Sequence, residues 1–167
     1  MAPEVLVLDT TAFIARLTLY APRARLVTTP SAASEARDPS SREAVELAVQ
    51  LGRLSLEEPP GELVARVERA ARRHGIRGLS RTDLEVAALA LSYRLRGASV
   101  VLVTDDYALQ ALASLLGIRF QPLRTRGIQG PWEARRRPRR PPERRCPACG
   151  APLPRGATRC PVCGARL

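Results

Sequence analysis

Two groups of residues in this chain have the types and spacing needed for metal chemistry. The first group is four cysteines near the C-terminal end, arranged as two Cys-x-x-Cys pairs with ten residues between them: Cys146, Cys149, Cys160 and Cys163. Thiolates at such spacing are typical tetrahedral ligands of Zn²⁺. Gly150 and Gly164 follow the two pairs and allow the backbone to turn back toward sulfur. Because the segment 144–167 has few apolar residues, we expect zinc to supply its folding free energy.

Disulfide bonds are the alternative use of four cysteines in a secreted protein. The N-terminal sequence reaches Asp9 too soon to contain the apolar core of a signal peptide, and no apolar run has the length of a membrane span. We therefore expect a cytoplasmic protein without a membrane segment, whose cysteines are reduced and bind zinc.

The second group is a set of acidic residues. Asp9, Asp105 and Asp106 each follow a short apolar run, and Glu35 and Asp83 lie at or near predicted helix starts. Taken singly, each acid has a structural explanation as a helix cap or a solvated charge. Acids that converge at the carboxyl edge of a sheet repel one another, however, unless cations neutralise them. Carboxylate oxygens suit Mg²⁺ or Mn²⁺, so the pattern favours a divalent-metal site.

The elements that must position these acids lie within residues 1–123. Strands are predicted at residues 5–8, 26–29, 99–104 and 118–122, and helices at residues 30–37, 42–52, 61–74, 80–97 and 107–116. The strands are short apolar runs, and the helices carry apolar residues at helical spacing. This alternation predicts an α/β fold with a mainly parallel sheet flanked by helices.

Positive charge is concentrated at the C-terminal end. The formal net charge is +11, and residues 124–167 hold twelve of the 27 arginines but two of the 16 acidic residues. We predict a domain at 1–123, an Arg/Pro-rich linker at 124–143 and a zinc ribbon at 144–167. The linker is too polar to fold alone, and its arginines suit the phosphates of a nucleic acid better than the role of a solubilising tether. The arginines predicted to bind are Arg135, Arg136, Arg137, Arg139, Arg140, Arg144 and Arg145.

Four motifs resemble those of PIN-domain ribonucleases: Asp9-Thr-Thr-Ala-Phe13, Glu35 within Pro-Ser-x-x-x-Glu, Leu79-Ser-x-x-Asp83 and Thr104-Asp-Asp106. The resemblance spans residues 4–123. Further features resemble the Nin-one-binding (Nob) endonucleases of archaea and eukaryotes, namely residues 102–110 (LVTDDYALQ), Gly127-Ile128, Trp132 and the four-cysteine ribbon. The chain departs from that pattern in its Arg/Pro-rich stretch between Trp132 and Cys146, which delays the start of the ribbon.

The resemblance implies a metal-dependent endoribonuclease that trims the 3′ end of small-subunit ribosomal RNA and leaves a 3′ hydroxyl and a 5′ phosphate. It makes Asp9, Glu35, Asp83 and Asp106 the catalytic acids and ligands of Mg²⁺ or Mn²⁺, with Asp105 as a possible further ligand. Thr104 is expected to orient a carboxylate or a water molecule. The implied partners are RNA, as the precursor within a small-subunit particle, and a KH-domain assembly factor. A histidine base is not required, and we expect the single histidine, His74, to be a surface residue.

Two other functions are compatible with the same motifs. One is a toxin-type PIN ribonuclease that cuts tRNA or mRNA, and the four cysteines argue against it because such toxins usually lack a ribbon. The other is a catalytically silent RNA-binding scaffold, which the complete set of acids argues against.

Overall fold

The computed structural model describes residues 4–14, 24–124, 148, 157–159, 161 and 163–166. The chain divides into two compact units, Met1–Trp132 and Glu133–Leu167. This division falls inside the predicted linker, while the three segment boundaries stay a prediction. Within the described residues, no helix is both long and apolar enough to cross a membrane.

The first unit alternates strands and helices. Its described strands are β1 (Val5–Leu8), β2 (Arg25–Thr28), β3 (Leu54–Leu56), β4 (Val100–Val103) and β5 (Arg119–Gln121). Its described helices are α1 (Thr10–Ile14), α2 (Pro30–Ser34), α3 (Pro39–Gln50), α4 (Gly61–Arg73), α5 (Arg81–Leu95) and α6 (Tyr107–Leu115).

All five strands form one parallel sheet in the order β3-β2-β1-β4-β5. Val7 at the centre is in register with Val27 on one side and Leu102 on the other. The chain builds the sheet outward from β1 in one direction and then returns to add β4 and β5. Ligands bind open α/β sheets at the carboxyl edge where the strand order reverses, which here lies between β1 and β4.

The side chains of the strands alternate between two buried layers. Val27 and Leu102 pack in the layer formed with α4, α5 and α6, and their neighbours Leu26 and Val103 pack in the opposite layer with Phe13 and α3. All four strand residues are at most 1% exposed. Because both faces are covered, the strands read as continuous apolar runs instead of alternating ones, which is why β4 was visible in the sequence.

Helix α5 is the most deeply embedded of the described helices. Ten of its fifteen residues are buried, from Thr82 to Tyr93, and its apolar residues surround the whole helix axis. Such a helix belongs to the interior of a domain, between the sheet and other helices. Its first turn, which carries Asp83, is therefore held in place by the packing behind it.

The predicted fold class is confirmed, as are the four predicted strands and five predicted helices, with shifted ends. Helix α2 ends at Ser34 instead of residue 37, and α3 begins at Pro39 instead of residue 42. The reason is Pro39, which disfavours helical backbone at the preceding Asp38; that residue is extended, with φ −78° and ψ 144°. The sequence analysis missed α1 and β3, which have five and three residues and are too short for a clear period.

The described residues of the second unit form a small turn-rich element. Arg159 and Arg166 make an isolated antiparallel bridge, so the chain reverses between them. Gly164 has φ +74°, the left-handed region that a glycine adopts without strain, directly after Cys163. This is the backbone conformation expected of a residue that follows a metal-binding turn.

Candidate active site

Asp9 lies at the carboxyl end of the central strand and is 5% exposed. The backbone N–H of Thr10 donates to its Oδ1 over 2.7 Å. The hydroxyl of Thr104 donates to its Oδ2, also over 2.7 Å. A buried carboxylate with two short hydrogen bonds has a fixed orientation at the bottom of the crevice.

Thr104 connects two of the predicted acids. It is fully buried at the end of β4, and its Oγ1 donates to Asp9 while accepting the backbone N–H of Asp106 at 3.0 Å. The side-chain amide of Gln110, also buried, donates to the Thr104 carbonyl at 2.9 Å. One hydroxyl thus fixes the side chain that follows β1 relative to the backbone that follows β4.

The adjacent residues Asp105 and Asp106 have different surroundings. Asp106 is the N-cap of α6, and its Oδ1 accepts the N–H groups of Ala108 and Leu109 at 2.6 and 3.0 Å. The carboxylate of Asp105 instead accepts the N–H groups of Leu123 and Arg124, with its Oδ1 at 2.8 and 2.9 Å from their nitrogens. Asp105 therefore holds the segment after β5, which favours Asp106 as the residue that serves the crevice.

Asp83 is held at the start of α5 by a capping box. The N–H of Asp83 donates to Ser80 Oγ at 3.1 Å, and the N–H of Ser80 donates back to Asp83 Oδ2 at 2.6 Å. Ser80 is the N-cap residue of α5. Because only one oxygen of Asp83 takes part in the box, the other is available to the crevice.

Glu35 reaches the same region from α2, where it is the exposed C-cap residue. The hydroxyl of Thr10 donates to its Oε2 at 3.2 Å. Thr10 thus contacts two acids, since its N–H binds Asp9 and its hydroxyl binds Glu35.

The charges of these acids act on one another. Burial raises the pKa of Asp9 above its usual value; the hydrogen bonds from Thr104 and Thr10 oppose this, and the charges of Asp83 and Asp106 add to it. Burial likewise raises the pKa of Asp83; its Ser80 contacts oppose this, and Asp106 and Glu35 add to it. The structure therefore brings Asp9, Glu35, Asp83 and Asp106 into one electrostatic cluster.

The donor set suits a hard divalent cation, because it consists of carboxylates whose mutual repulsion a positive charge relieves. With the side chains as they stand, no three acids in the described part of the chain are gathered tightly enough to hold a metal ion. Three of the carboxylates are instead hydrogen-bonded to Thr10, to Ser80 and to the first turn of α6. The site thus fits a cation in chemistry and charge, and ligation requires some of these side chains to turn.

Comparison with known proteins agrees with the grouping of these acids into one site. The profile described as the PIN domain of ribonuclease matches residues 6–95, which is more than half of the chain and includes Asp9, Glu35 and Asp83. The chain belongs to the PIN-domain ribonuclease family. It is accordingly an endoribonuclease, and this family generally uses divalent metal ions. A second profile, a zinc-ribbon domain, matches residues 145–167.

Individual relatives within the PIN family carry two different names. Endoribonuclease Nob1 of Archaeoglobus fulgidus is 39% identical over 153 residues, covering 89% of this chain and 88% of the relative. Endoribonuclease Nob1 of Pyrococcus abyssi is 36% identical over 157 residues, covering 89% and 91%. Ribonuclease VapC3 of Aeropyrum pernix is 46% identical over 125 residues, covering 74% of this chain and 89% of the relative. Both names denote ribonucleases, and these two alignments with Nob1 cover more of this chain than the alignment with VapC3 does.

Sequence reasoning missed several residues of the PIN site. Thr10 and Thr11 were noted as part of a motif but given no role; the hydroxyl of Thr11 lies 3.5 Å from Asp9 Oδ2 and also accepts the N–H of Asp105 at 3.4 Å. Ser31 was noted only within the Pro-Ser-x-x-x-Glu motif and Glu85 only within a predicted helix, although Ser31 Oγ donates to Glu85 Oε2 at 2.7 Å. The signal that could have identified Thr10 and Thr11 is their position directly after Asp9. Ser31 and Glu85 are 54 positions apart, so no local sequence signal indicates their contact.

The remaining predicted residues are only partly described. Cys163 is exposed, and the other three predicted zinc ligands, Cys146, Cys149 and Cys160, lie outside the described residues. The seven predicted RNA-binding arginines also lie outside them: Arg135, Arg136, Arg137, Arg139, Arg140, Arg144 and Arg145. His74 caps the end of α4 and is partly exposed, away from the acidic cluster in sequence and element.

Proposed function

We propose that this chain cleaves precursor small-subunit ribosomal RNA at its 3′ end during ribosome biogenesis. The observation that carries the proposal is the combination of a PIN domain and a zinc ribbon in this chain, together with relatives named Endoribonuclease Nob1 that align over 89% of it. An alignment of that length extends past the sheet domain into the basic and cysteine-containing region. The VapC3 alignment covers 74%, about the share taken by residues 1–123.

Asp9, Glu35, Asp83 and Asp106 hold Mg²⁺ or Mn²⁺ in this proposal, with Asp105 kept outside by its contacts with the backbone after β5. A divalent cation supplies Lewis-acid chemistry, which favours ionised water as the nucleophile and stabilises negative charge on the leaving 3′ oxygen. The assignment is consistent with the pKa values of Asp9 and Asp83, which burial raises first and the neighbouring acids raise further, because a bound cation favours the ionised form against both effects.

The protein side chains around the cluster have positioning roles. Thr104 fixes the Asp9 carboxylate against the start of α6, and Ser80 fixes Asp83 against the start of α5. The hydroxyl of Thr10, a partly buried residue, holds the exposed Glu35 near the crevice by one hydrogen bond. Glu35 is the exposed acid of the four, and it would complete the ligand set of a bound cation.

Affinity for RNA comes from the other end of the chain, because an acidic crevice repels phosphate. The arginines of the linker at 124–143 and the start of the ribbon at 144–167 contact the backbone of the RNA. Cys146, Cys149, Cys160 and Cys163 bind one Zn²⁺ that holds the ribbon together. A small-subunit precursor particle and a KH-domain assembly factor supply the remaining specificity.

A toxin-type ribonuclease is the second candidate, favoured by the 46% identity to Ribonuclease VapC3. In that function the acids and their metal act in the same way, but the target is tRNA or mRNA. The two candidates therefore differ in substrate and not in site geometry.

The deciding experiment is cleavage of an RNA that spans the mature 3′ end of small-subunit rRNA, with Mg²⁺ or Mn²⁺ added. The active-site variant is Asp83→Asn, which keeps the oxygen that accepts the Ser80 N–H and removes the charge. The matched control is Asp38→Asn, since Asp38 is an exposed N-cap of α3 and asparagine caps a helix equally well.

A single cut at the mature end by the wild type and by Asp38→Asn, absent with Asp83→Asn, supports the proposal. If the chain instead cuts tRNA or mRNA fragments of the same length selectively, the toxin-type function is favoured. Tight RNA binding with no cut by any form contradicts both and favours the silent scaffold.

A further inference from the structure

A cavity of about 400 Å³ lies at the carboxyl edge of the sheet, on the β2–β3 side of the acidic cluster. Thr29, directly after β2, and the exposed Glu58, shortly after β3, line it. The first residues of α4 and α5, Gly61 and Arg81, also line it. The acids of the PIN site do not line it, so the cavity is a separate feature beside the site.

The cavity is built around a polar network. Ser31 Oγ donates to Glu85 Oε2 at 2.7 Å and contacts Thr29 Oγ1 at 2.9 Å. Arg81 Nε donates to the other oxygen of Glu85 at 2.8 Å. Each carboxylate oxygen of Glu85 accepts one of these hydrogen bonds, and each has capacity for a second acceptor contact. The Glu85 side chain is 23% exposed, so this capacity faces the cavity and solvent.

Apolar side chains complete the walls. Pro30, Pro59 and Val64 line the cavity beside the polar network. Proline rings and a valine offer flat apolar surface to a planar group, while carboxylates offer acceptors to its edge. A concave site with apolar walls and a few placed polar groups is the usual form of a small-ligand pocket.

The charge of the cavity selects the part of a nucleotide that fits. Glu58 and Glu85 carry two negative charges against the one positive charge of Arg81, which already pairs with Glu85. A phosphate is repelled by this balance, whereas an N–H group gains from it. Glutamate accepts from the exocyclic amino groups of nucleobases, as it does from cytosine in duplex DNA.

The position of the cavity relates it to the cleavage site. Asp83 lies between Arg81 and Glu85 in the first turn of α5, and Ser31 lies four residues before Glu35. Neighbouring strands are about 4.8 Å apart, so the ends of β2 and β3 lie about 5 and 10 Å from the end of β1, where Asp9 stands. A nucleotide next to the scissile phosphate spans such a distance.

We infer that this cavity binds an unstacked RNA base that carries an exocyclic amino group, next to the phosphodiester that is cut. The base lies against Pro30, Pro59 and Val64, and its amino group donates to Glu85, which Ser31 and Arg81 hold in place. The inference rests on the proposed ribonuclease function and adds to it a base preference at one position. Adenine, cytosine and guanine are accepted, and uracil, which lacks the amino group, is disfavoured.

The test uses the full chain and single-stranded RNA oligonucleotides that differ in one base near the cut. At each position in turn, guanine is replaced by inosine or adenine by purine, so that only the amino group is removed. We expect one position at which this replacement lowers kcat/KM about tenfold, the effect of one hydrogen bond to a charged group. In Glu85→Gln the same replacement changes kcat/KM less than twofold, because the charged acceptor is gone. Ser31→Ala, which releases Glu85 from its hydroxyl partner, weakens the response in the same direction.

The matched control is Glu68→Gln. Glu68 and Arg72 form the same type of pair, four residues apart on a helix, but on α4 and outside the cavity. This variant keeps the tenfold response of the wild type. The inference is overturned if the wild type cuts the oligonucleotides and no position responds, or if Glu85→Gln responds as strongly as the wild type.

Binding provides a second readout that does not need cleavage. The affinity of Asp9→Asn for the same fluorescent oligonucleotides is measured with and without Glu85→Gln. If removal of the amino group raises Kd about tenfold, and Glu85→Gln abolishes this difference, the cavity inference is supported. This holds even if the wild type cuts none of the oligonucleotides, a result that would contradict the proposed cleavage but not the binding of a base. If the wild type cuts at a defined site but neither cleavage nor binding depends on the amino group, the ribonuclease function is supported and the cavity inference is contradicted.

Discussion

Replacing Thr104 by valine separates the orienting role of its hydroxyl from its volume. The two side chains have the same shape, and Thr104 is fully buried, so the fold keeps its packing. The change removes the donor to Asp9 Oδ2 at 2.7 Å and the acceptor of the Asp106 N–H at 3.0 Å. Thr104→Ser is the matched control, because it keeps the hydroxyl and removes one methyl group.

The expected magnitudes follow from these two contacts. A hydrogen bond to a charged group contributes about 1.5–3 kcal/mol, and a part-buried N–H left without a partner costs about 1–3 kcal/mol. Because water can partly replace Thr104 at Asp106, we expect Thr104→Val to lower the free energy of unfolding by about 3 kcal/mol. For a unit of this size that is a decrease in Tm of about 12 °C. Thr104→Ser loses about 1 kcal/mol, the value of one buried methyl group.

Activity responds through the position of Asp9. A displacement of about 1 Å in a catalytic group costs about 100-fold, so we expect kcat/KM of Thr104→Val to fall by this factor and that of Thr104→Ser to stay within about threefold. Unfolding is followed by circular dichroism, and cleavage is measured well below the Tm of each variant. The reasoning is refuted if Thr104→Val is as stable and as active as the wild type, or if Thr104→Ser is equally impaired in both.

The other predictions concern the charges of Asp105 and Asp106, the buried Tyr93, and the zinc of the ribbon. Asp106→Asn keeps the helix cap but abolishes cleavage, whereas Asp105→Asn keeps its backbone contacts and most of the activity; equal losses in a cleavage assay would contradict the assignment from geometry. Tyr93→Phe removes the hydrogen bonds to both oxygens of Glu57 at 2.8 Å and lowers the free energy of unfolding by about 1–2 kcal/mol in denaturant titrations. Burial, followed by the hydrogen bond and charge of Glu57, raises the pKa of Tyr93 above its usual value of 10.0. The contribution of Tyr93 to the free energy of unfolding is therefore fully present below pH 10 and is lost as the pH rises through the folded-state pKa. The phenylalanine variant does not show this loss. Elemental analysis should find one zinc per chain, and Cys163→Ser should lower this content and the RNA affinity while the sheet domain still melts as in the wild type; zinc-free protein with an unchanged ribbon would exclude the metal site.

The fold was largely readable because its strands are buried on both faces. Runs such as Val100–Val103 are apolar at every position, and the helices between them end at glycines. Strand β3 escaped detection because it is a short Leu-Ser-Leu segment in which Leu56 is 42% exposed, so it does not form a continuous apolar run.

The acids of the candidate site were also found in the sequence, because each is tied to a local signal. Asp9 and Asp106 follow apolar strands, and Asp83 belongs to the Ser80 capping box. Their convergence on a common crevice depended on the inferred topology, which the parallel sheet and its strand order confirm. The family motifs gave the same positions, and their roles as ligands stay a proposal.

The sequence by itself determined the fold class, the order of most elements and the position of the acids along the chain, since these depend on interactions within a few residues. The tertiary structure gives the two adjacent aspartates different partners, because Asp105 is held by amides of Leu123 and Arg124, eighteen and nineteen positions away, whereas Asp106 caps α6. It also joined Ser31 to Glu85 across 54 positions and enclosed a cavity between them and two helix starts. Contacts of this kind arise when distant segments are packed against the same sheet edge, and no local pattern of residues specifies them.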